Sequence, residues 1–304
     1  MTQLRILLTG SSGYLGHAVR RHLEREGHAL TLLGRTLPQD TLHRLIPADL
    51  RDSQDLRRAL DDLDVDVVCH LAALTKARES VEQPLPYWET NVSGTINLLS
   101  AIRPGTAVVM TSTAAVYTGD AEGALDETVA TDPANPYAAS KLAAEQVLTS
   151  WADATDSAAT IIRCFNIAGA VDGVGDTEPS RIIPAMFRAL RGQIPAFTVN
   201  GDGSTIRDYT HVADVAAGIA LAVQAKGTAL YNLGTGEGLS IAQLIDAVQE
   251  ITAQELPIQH ADPKQEAQRL VADSRRLRAA LSWVPYRSTA KRIVIDAWDA
   301  WEAA

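Results

Sequence analysis

Gly10-Ser11-Ser12-Gly13-Tyr14-Leu15-Gly16 follows a short apolar run, Leu4–Thr9, and leads into Tyr14–Arg25, where Leu15, Val19 and Leu23 recur four residues apart. A glycine loop between a strand and a helix gathers backbone N–H groups at the positive end of the helix dipole, which suits a pyrophosphate. Glycine permits the tight turn, lets a phosphate approach the backbone and lets the helix pack closely on the strand. Three glycines alone are a weak signal. Their place after the first strand and before the first helix makes the motif far more specific. A purely structural turn is the alternative.

Outward from this loop the chain alternates. Ala29–Leu33, His43–Ala48, Val65–Leu71, Ala107–Met110 and Ala159–Cys164 are strand-like, and Leu85–Ile102 and 136–152 have helical spacing. Short, nearly continuous apolar strands between amphipathic helices predict a parallel sheet covered on both faces, an α/β fold of the Rossmann doubly wound type. After residue 165 the rhythm changes. Residues 168–180 read as a loop, and a helix at 181–191 and a strand near 196–199 follow. A helix at 211–225 and a strand at 228–233 come next, then helices near 240–254, 274–281 and 289–302. The expected division is 1–165 with 206–235 as the dinucleotide-binding domain, and 166–205 with 236–304 as a smaller α/β domain.

The composition bounds the partners. Of 304 residues, 46% are hydrophobic and 21% charged, the profile of a soluble globular protein. The net charge of −10, without a basic run, argues against nucleic acid or an anionic membrane surface. A small anionic ligand held by a few arginines is still compatible. The two cysteines, Cys69 and Cys164, lie in apolar runs and read as buried free thiols, with no disulfide or metal-ligand spacing. The first apolar run is too short for a signal-peptide core, and no window approaches a membrane span. The cytoplasm is the expected location.

The end of the second strand discriminates between dinucleotides, because an acid there binds the ribose 2′-hydroxyl and an arginine nearby accommodates a 2′-phosphate. Leu32-Leu33-Gly34-Arg35 offers no acid, and Arg35 leans toward NADP. A solvated turn arginine is the alternative. Asp49, after the third strand, is a candidate neighbour of the adenine or a solvated turn residue.

Asn135-Pro136-Tyr137-Ala138-Ala139-Ser140-Lys141 opens a helix, with Asn135 as N-cap and Pro136 in the first turn. Tyr137 and Lys141 then share a face. An ammonium at roughly 5 Å, with an effective dielectric of about 20, favours the phenolate by roughly 3 kcal/mol, or about two pH units. That brings a tyrosine toward general-base chemistry. In isolation such a pair is usually solvated; beside the glycine loop and the hydroxyl cluster Thr111-Ser112-Thr113 it reads as catalytic.

Gly10/Gly13/Gly16, the Thr113 region, Asn91 and Tyr137-x-x-x-Lys141 resemble the extended short-chain dehydrogenase/reductase family. Within it the chain is most similar to the UDP-glucose (UDP-galactose) 4-epimerase group, through His70-Leu71-Ala72-Ala73, Glu79-Ser80-Val81, Asn91-Val92-Ser93-Gly94-Thr95, Arg163-Cys164-Phe165-Asn166, Arg207-Asp208-Tyr209-Thr210-His211-Val212 and Tyr231-Asn232-Leu233-Gly234. The resemblance implies Tyr137 as acid/base, Lys141 holding the nicotinamide ribose and tuning Tyr137, and Thr113 bridging the sugar hydroxyl and Tyr137. It implies cofactor contacts at Gly10, Ser12, Gly13, Tyr14, Leu15, Gly16, Arg35, Asp49, Leu50, Leu71, Ala72, Ala73, Asn91 and Thr111, besides Tyr137 and Lys141. Asn91 is expected mainly to support the backbone near the site. Asn166 and Arg207 would bind the nucleotide sugar, most simply a UDP-sugar, and Arg207 could instead be structural beside Asp208. His70 and His211 are expected to be structural. The resemblance favours NAD, and a homodimer built on helices 85–102 and 136–152.

The related 4,6-dehydratases place an Asp-Glu pair after the Ser/Thr, and the related decarboxylases place a Glu in this stretch. Here Ala114 and Ala115 stand there, and alanine transfers no proton. What is left suits reversible oxidation at one carbinol carbon: epimerisation at C4, or a single NADPH-dependent 4-keto reduction. The stretch 261–270 is about two residues shorter than the family's loop, whose Arg and Asp grip the diphosphate and ribose. Lys264, Glu266 and Arg269 are the nearest residues.

Overall fold

The computed structural model describes residues 2–39, 41–117, 123–263 and 267–303. Its elements in chain order begin with β1 (Arg5–Thr9), α1 (Tyr14–Arg25), β2 (Ala29–Gly34), β3 (Arg44–Pro47), α2 (Ser53–Leu60) and β4 (Val67–His70). There follow α3 (Ala77–Glu82), α4 (Pro84–Trp88), a π-helical turn at Glu89–Ser93, α5 (Gly94–Ala101), β5 (Ala107–Thr113), a 3-10 turn at Ala114–Val116, α6 (Pro136–Thr155) and β6 (Ala159–Cys164). The remainder is β7 (Asn166–Ala168), β8 (Ala170–Val171), β9 (Val174–Gly175), α7 (Ile182–Leu190), β10 (Phe197–Asn200), β11 (Ile206–Arg207), β12 (Tyr209–His211), α8 (Val212–Ala225), β13 (Ala229–Leu233), β14 (Leu239–Ser240), α9 (Ile241–Thr252), β15 (Ile258–Ala261), β16 (Arg269–Leu270), α10 (Arg275–Leu281) and α11 (Ala290–Glu302).

The chain forms two compact units. The first comprises Met1–Thr118, Ala130–Cys164 and Ala216–Tyr231; the second comprises Gly119–Val129, Phe165–Val215 and Asn232–Ala304. The central sheet runs β13-β6-β5-β4-β1-β2-β3, and β1 through β6 pair in parallel. This is the expected Rossmann-type sheet. Every residue of β4 and β6 is buried, because helices cover both faces and no solvent side exists to select polar residues. Leu7, Leu33, Val68, Val108, Met110 and Ile161 from the strands pack with Leu56, Leu98, Leu148 and Ala152 from the helices.

The second unit has its own core around Met186, Phe187, Leu244, Val248, Ile293 and Val294. Of residues 206–235, placed with the dinucleotide-binding part on sequence, 206–215 and 232–235 fall in this unit. β11 joins β14 and β16, and β12 joins β7. Three further expectations change. The helix expected over 85–102 runs through α4 and α5 with helical backbone throughout, but carries a π turn between them. The loop expected at 168–180 contains the β8–β9 hairpin, turned by Asp172 and Gly173 at φ +50° and +76°. The strand expected to stop at Met110 runs on to Thr113, so Thr111 and Ser112 lie within the sheet.

Candidate active site

The glycine loop is built by close contacts. Gly10 has φ +75°, and a Cβ there would lie 2.8 Å from the Ala72 nitrogen. A Cβ at Gly16 would lie 1.9 Å from the Gly10 carbonyl oxygen. Either side chain would push the β1–α1 turn out of place. Gly13, with nothing nearer than 3.4 Å, is exposed and leaves the approach to the loop open. It caps α1 through its backbone alone, and the first turn of α1 carries no acid. Ser11 is buried and its Oγ has no hydrogen-bond partner among the described residues. Ser12 is exposed, and Tyr14 and Leu15 are half-buried. A glycine-lined turn, uncapped N–H groups and an unpaired buried hydroxyl fit the pyrophosphate of a dinucleotide.

The floor beneath the loop is wired through Thr9. Its Oγ1 accepts from the Leu71 and Ala72 nitrogens at 3.2 and 3.1 Å and bonds His70 Nδ1 at 2.8 Å. His70 Nε2 meets Thr95 Oγ1 at 3.1 Å. Burial, with the Lys141 charge adding to it, pushes the His70 pKa down to about 3. The ring is therefore neutral and bridges the Thr9 and Thr95 hydroxyls, a structural role as expected of it. Leu71, Ala72 and Ala73 are half-buried along this floor, and Leu50 is buried.

At the end of β5, Thr113 is extended, and its Oγ1 accepts from the Ala115 nitrogen at 3.2 Å. The hydroxyl hydrogen is left to donate outward. Thr111 and Ser112 are buried, and Ser112 Oγ has no partner among the described residues. α6 begins as read from sequence: Asn135 Oδ1 accepts from the Ala138 nitrogen at 3.0 Å, with Pro136 in the first turn. Tyr137 follows at once. Its nitrogen donates to Ser80 Oγ at 3.1 Å, and its ring packs edge-on against Tyr87, 6.4 Å between centroids.

Lys141 lies on the buried stripe of α6 with Ala144, Glu145, Leu148 and Ala152. Burial lowers its pKa to about 8, against the opposing pull of Glu145. Glu145 is bound by Arg163 of β6, from Nε at 3.0 and 3.3 Å and from Nη2 at 2.7 Å. The Arg163 guanidinium also lies over the Tyr117 ring at 4.8 Å. This pair was not anticipated. Its signal was present: Glu145 continues the Tyr137, Lys141 spacing by one more turn, and Arg163 interrupts an apolar strand.

Asn91 sits in the π turn. Its Oδ1 accepts from the Leu74 nitrogen at 2.8 Å, while Nδ2 donates to the Leu74 carbonyl at 3.0 Å and to Ser140 Oγ at 2.9 Å. Ser140 Oγ in turn donates to the Tyr137 carbonyl at 2.8 Å. The carboxamide named as a cofactor contact is thus engaged with the chain, tying the start of α6 to the loop after β4. The extra residue per turn is what aims it there.

In the second unit, Asn166 opens β7 and is half-buried. The Arg207 Nη1 donates to the Ile206 and Ala267 carbonyls at 2.9 and 2.8 Å. Asp208 is fully buried and accepts from Thr235 N, Thr235 Oγ1, Gly236 N and Ala272 N at 2.8, 2.7, 2.9 and 3.2 Å. In the β11–β16 register Arg269 pairs with Ile206, and Arg207 with Leu270. Arg269 therefore projects from the opposite face to Arg207. Lys264 and Glu266 lie outside the described residues. His211, with its Nε2 3.0 Å from Asp296 Oδ2, is buried within this unit.

Residues 6–234 match the NAD dependent epimerase/dehydratase family. The UDP-glucose 4-epimerase of Streptomyces lividans is 35% identical over 318 residues, covering 97% of this chain and 95% of its own. That of Corynebacterium glutamicum is 31% identical, with the same coverages of 97% and 95%. Among solved structures, a UDP-glucose 4-epimerase superposes with a TM-score of 0.92 at 31% identity, covering 98% of both chains. The Brucella ovis UDP-glucose 4-epimerase in complex with NAD superposes at 0.90 and 30% identity, covering 96% of this chain and 97% of its own.

Proposed function

The chain belongs to the NAD dependent epimerase/dehydratase family, and from that membership we propose that it is a nucleotide-sugar 4-epimerase of the UDP-glucose/UDP-galactose type. The observation that carries this reading is the hydroxyl–tyrosine–lysine set of β5 and α6, followed by two alanines where a second proton-transferring group would stand.

Tyr137 takes the proton of the sugar C4 hydroxyl and later returns it. Lys141 makes this possible. At neutral pH it is largely protonated, and its buried ammonium favours the phenolate more strongly than a solvated one would. Thr113, whose oxygen is fixed by the Ala115 nitrogen, donates its hydroxyl hydrogen to the sugar oxygen. NAD, which the β1–α1 loop would hold at Gly10, Gly13 and Gly16, would supply a reversible hydride acceptor at C4. Rotation of the 4-keto sugar within the pocket would present its other face and so invert the centre. Ala114 and Ala115 leave C5 and C6 without a base, so no elimination competes. Asn166 and Arg207 are assigned to the nucleotide sugar.

The single-reduction alternative rests on Arg35. The relatives are UDP-glucose 4-epimerases, and several structures hold NAD, which supports the epimerase instead. No described helix is long and apolar enough to cross a membrane. Val81, Leu85 and Ile96, exposed at 64%, 69% and 44% on α3–α5, support a homodimer.

The test is direct. The purified protein is denatured, the released dinucleotide identified, and the native protein given UDP-galactose without added cofactor. Formation of UDP-glucose is expected. A protein that only consumes NADPH with a 4-keto sugar would overturn the reading.

A further inference from the structure

Glu145 and Arg163 form a buried ion pair that takes no part in the proton and hydride transfers. Glu145 lies on the buried stripe of α6 between Lys141 and Leu148, and Arg163 lies in β6, every residue of which is buried. Desolvating two such charges offsets most of their attraction, so apolar residues of like volume would hold the same place at no loss of stability. Packing alone does not ask for charge here.

The position of Glu145 supplies a reason for it. Tyr137, Lys141 and Glu145 follow one another at four-residue spacing, so their side chains leave α6 from one face. The groups acting on Lys141 from other elements are neutral. Burial, with the lysine charge adding to it, pushes the His70 pKa on β4 down to about 3, and burial pushes the Cys164 thiol on β6 up to about 12. On the helices packed against α6, Glu79 meets Lys76 and the Tyr87 hydroxyl, and Arg78, Glu82 and Glu89 are exposed. Among the described residues Glu145 is thus the one carboxylate that acts on Lys141. Arg163 holds it in a single orientation through Nε and Nη2, and the Tyr117 ring lies against the guanidinium in turn.

We propose that Glu145 is a positioning residue for the reaction: fixed by Arg163, its carboxylate keeps the Lys141 ammonium charged at neutral pH and through it favours the Tyr137 phenolate. The margin is narrow. Burial lowers the Lys141 pKa to about 8 even with Glu145 opposing it. An opposite charge about 4–6 Å away is worth about 1–3 pH units. Without that anion the lysine would be largely neutral at pH 7, and a neutral amine gives a phenolate no charge to lean on. The proposal rests on reading Tyr137 and Lys141 as the acid/base pair.

The lysine can be titrated without turnover. The chain has five lysines, so protein labelled at lysine Cε gives few NMR signals, and that of Lys141 is the one lost in Lys141→Met. In Glu145→Gln with Arg163→Met, which leaves no member of the pair uncompensated, Lys141 is expected to titrate about 1–3 pH units lower than in the wild type. The alkaline limb of kcat should move down with it. Glu145→Asp, which keeps an anion beside Arg163, should titrate close to the wild type. A Lys141 titration unmoved in the double variant would overturn the proposal. So would a Glu145→Asp variant that shifts as far as the double variant, since the pair would then act by packing. A wild type without epimerase activity would overturn the reaction proposed above, and the lysine titration would still decide what Glu145 does.

Discussion

The two ends of the proposed dinucleotide site are made differently. Around Tyr137 and Lys141 the supporting polar groups are buried and tied to one another, from Thr9 through His70 and Thr95, and from Asn91 through Ser140 to the Tyr137 carbonyl. Around Arg35 the charged groups are exposed or half-buried, and Arg35 is tied to nothing described. A change at the first end strands a partner in a dry interior. A change at the second is absorbed by water. The surroundings of Tyr137 and Lys141 are therefore expected to be hard to alter one residue at a time, and those of Arg35 easy to alter.

Substitutions can break that contrast. The largest effect is expected from Tyr137→Phe, which should lower kcat by about 10²–10⁴-fold with little change in melting temperature. An equal loss from Arg35→Ala would erase the distinction between the ends. Glu145→Gln should follow. It leaves Arg163 charged and uncompensated at 5% side-chain exposure, costing about 3–5 kcal/mol in urea unfolding. Glu145→Gln with Arg163→Met should recover most of this; failure to recover would mean the pair does more than neutralise itself.

Lys141 sharpens the comparison through pH. Its folded pKa of about 8 lies below the ordinary 10.5, so between those values the unfolded chain holds a proton the folded chain has released. Stability from this group therefore rises with pH across that window, and below it burial of the charge costs on the order of 3 kcal/mol. The buried Cys69 and Cys164 thiols, pushed up to about 12, oppose the trend at high pH. The readout is thus the difference between wild type and Lys141→Met. The variant should be inactive, more stable at pH 7, and lose its advantage toward pH 10.5. A constant difference would show the lysine to be solvated. Ser80→Ala removes the acceptor of the Tyr137 nitrogen and should cost about 1 kcal/mol by denaturant titration. Arg35→Ala should change stability by less than about 0.5 kcal/mol.

What could be read from the chain follows the range of the forces involved. The β1–α1 loop, the buried strands and the Asn135-capped start of α6 depend on neighbours in sequence, and all were legible. The π turn at Glu89–Ser93 was not, because nothing local demands it; the hydrogen bonds of Asn91 to Leu74 and Ser140 make it. Likewise β11, β14 and β16 are two residues each and exist only through partners far along the chain. Glu145 was not singled out, since its partner Arg163 lies eighteen residues on, in β6. α2 was overlooked although its Asp52 cap, accepting from Gln54 and Asp55, is a local signal.

The order of the sheet also has a consequence for how the protein is made. β6 is flanked on one side by β5 and on the other by β13, which ends only at Leu233. As the chain leaves the ribosome, the edge of Ala159–Cys164, buried throughout in the finished fold, has no covering strand until some seventy further residues have been synthesised. For that interval the nascent protein carries an open sheet edge, so a chain stalled or cut before Ala229 is expected to aggregate.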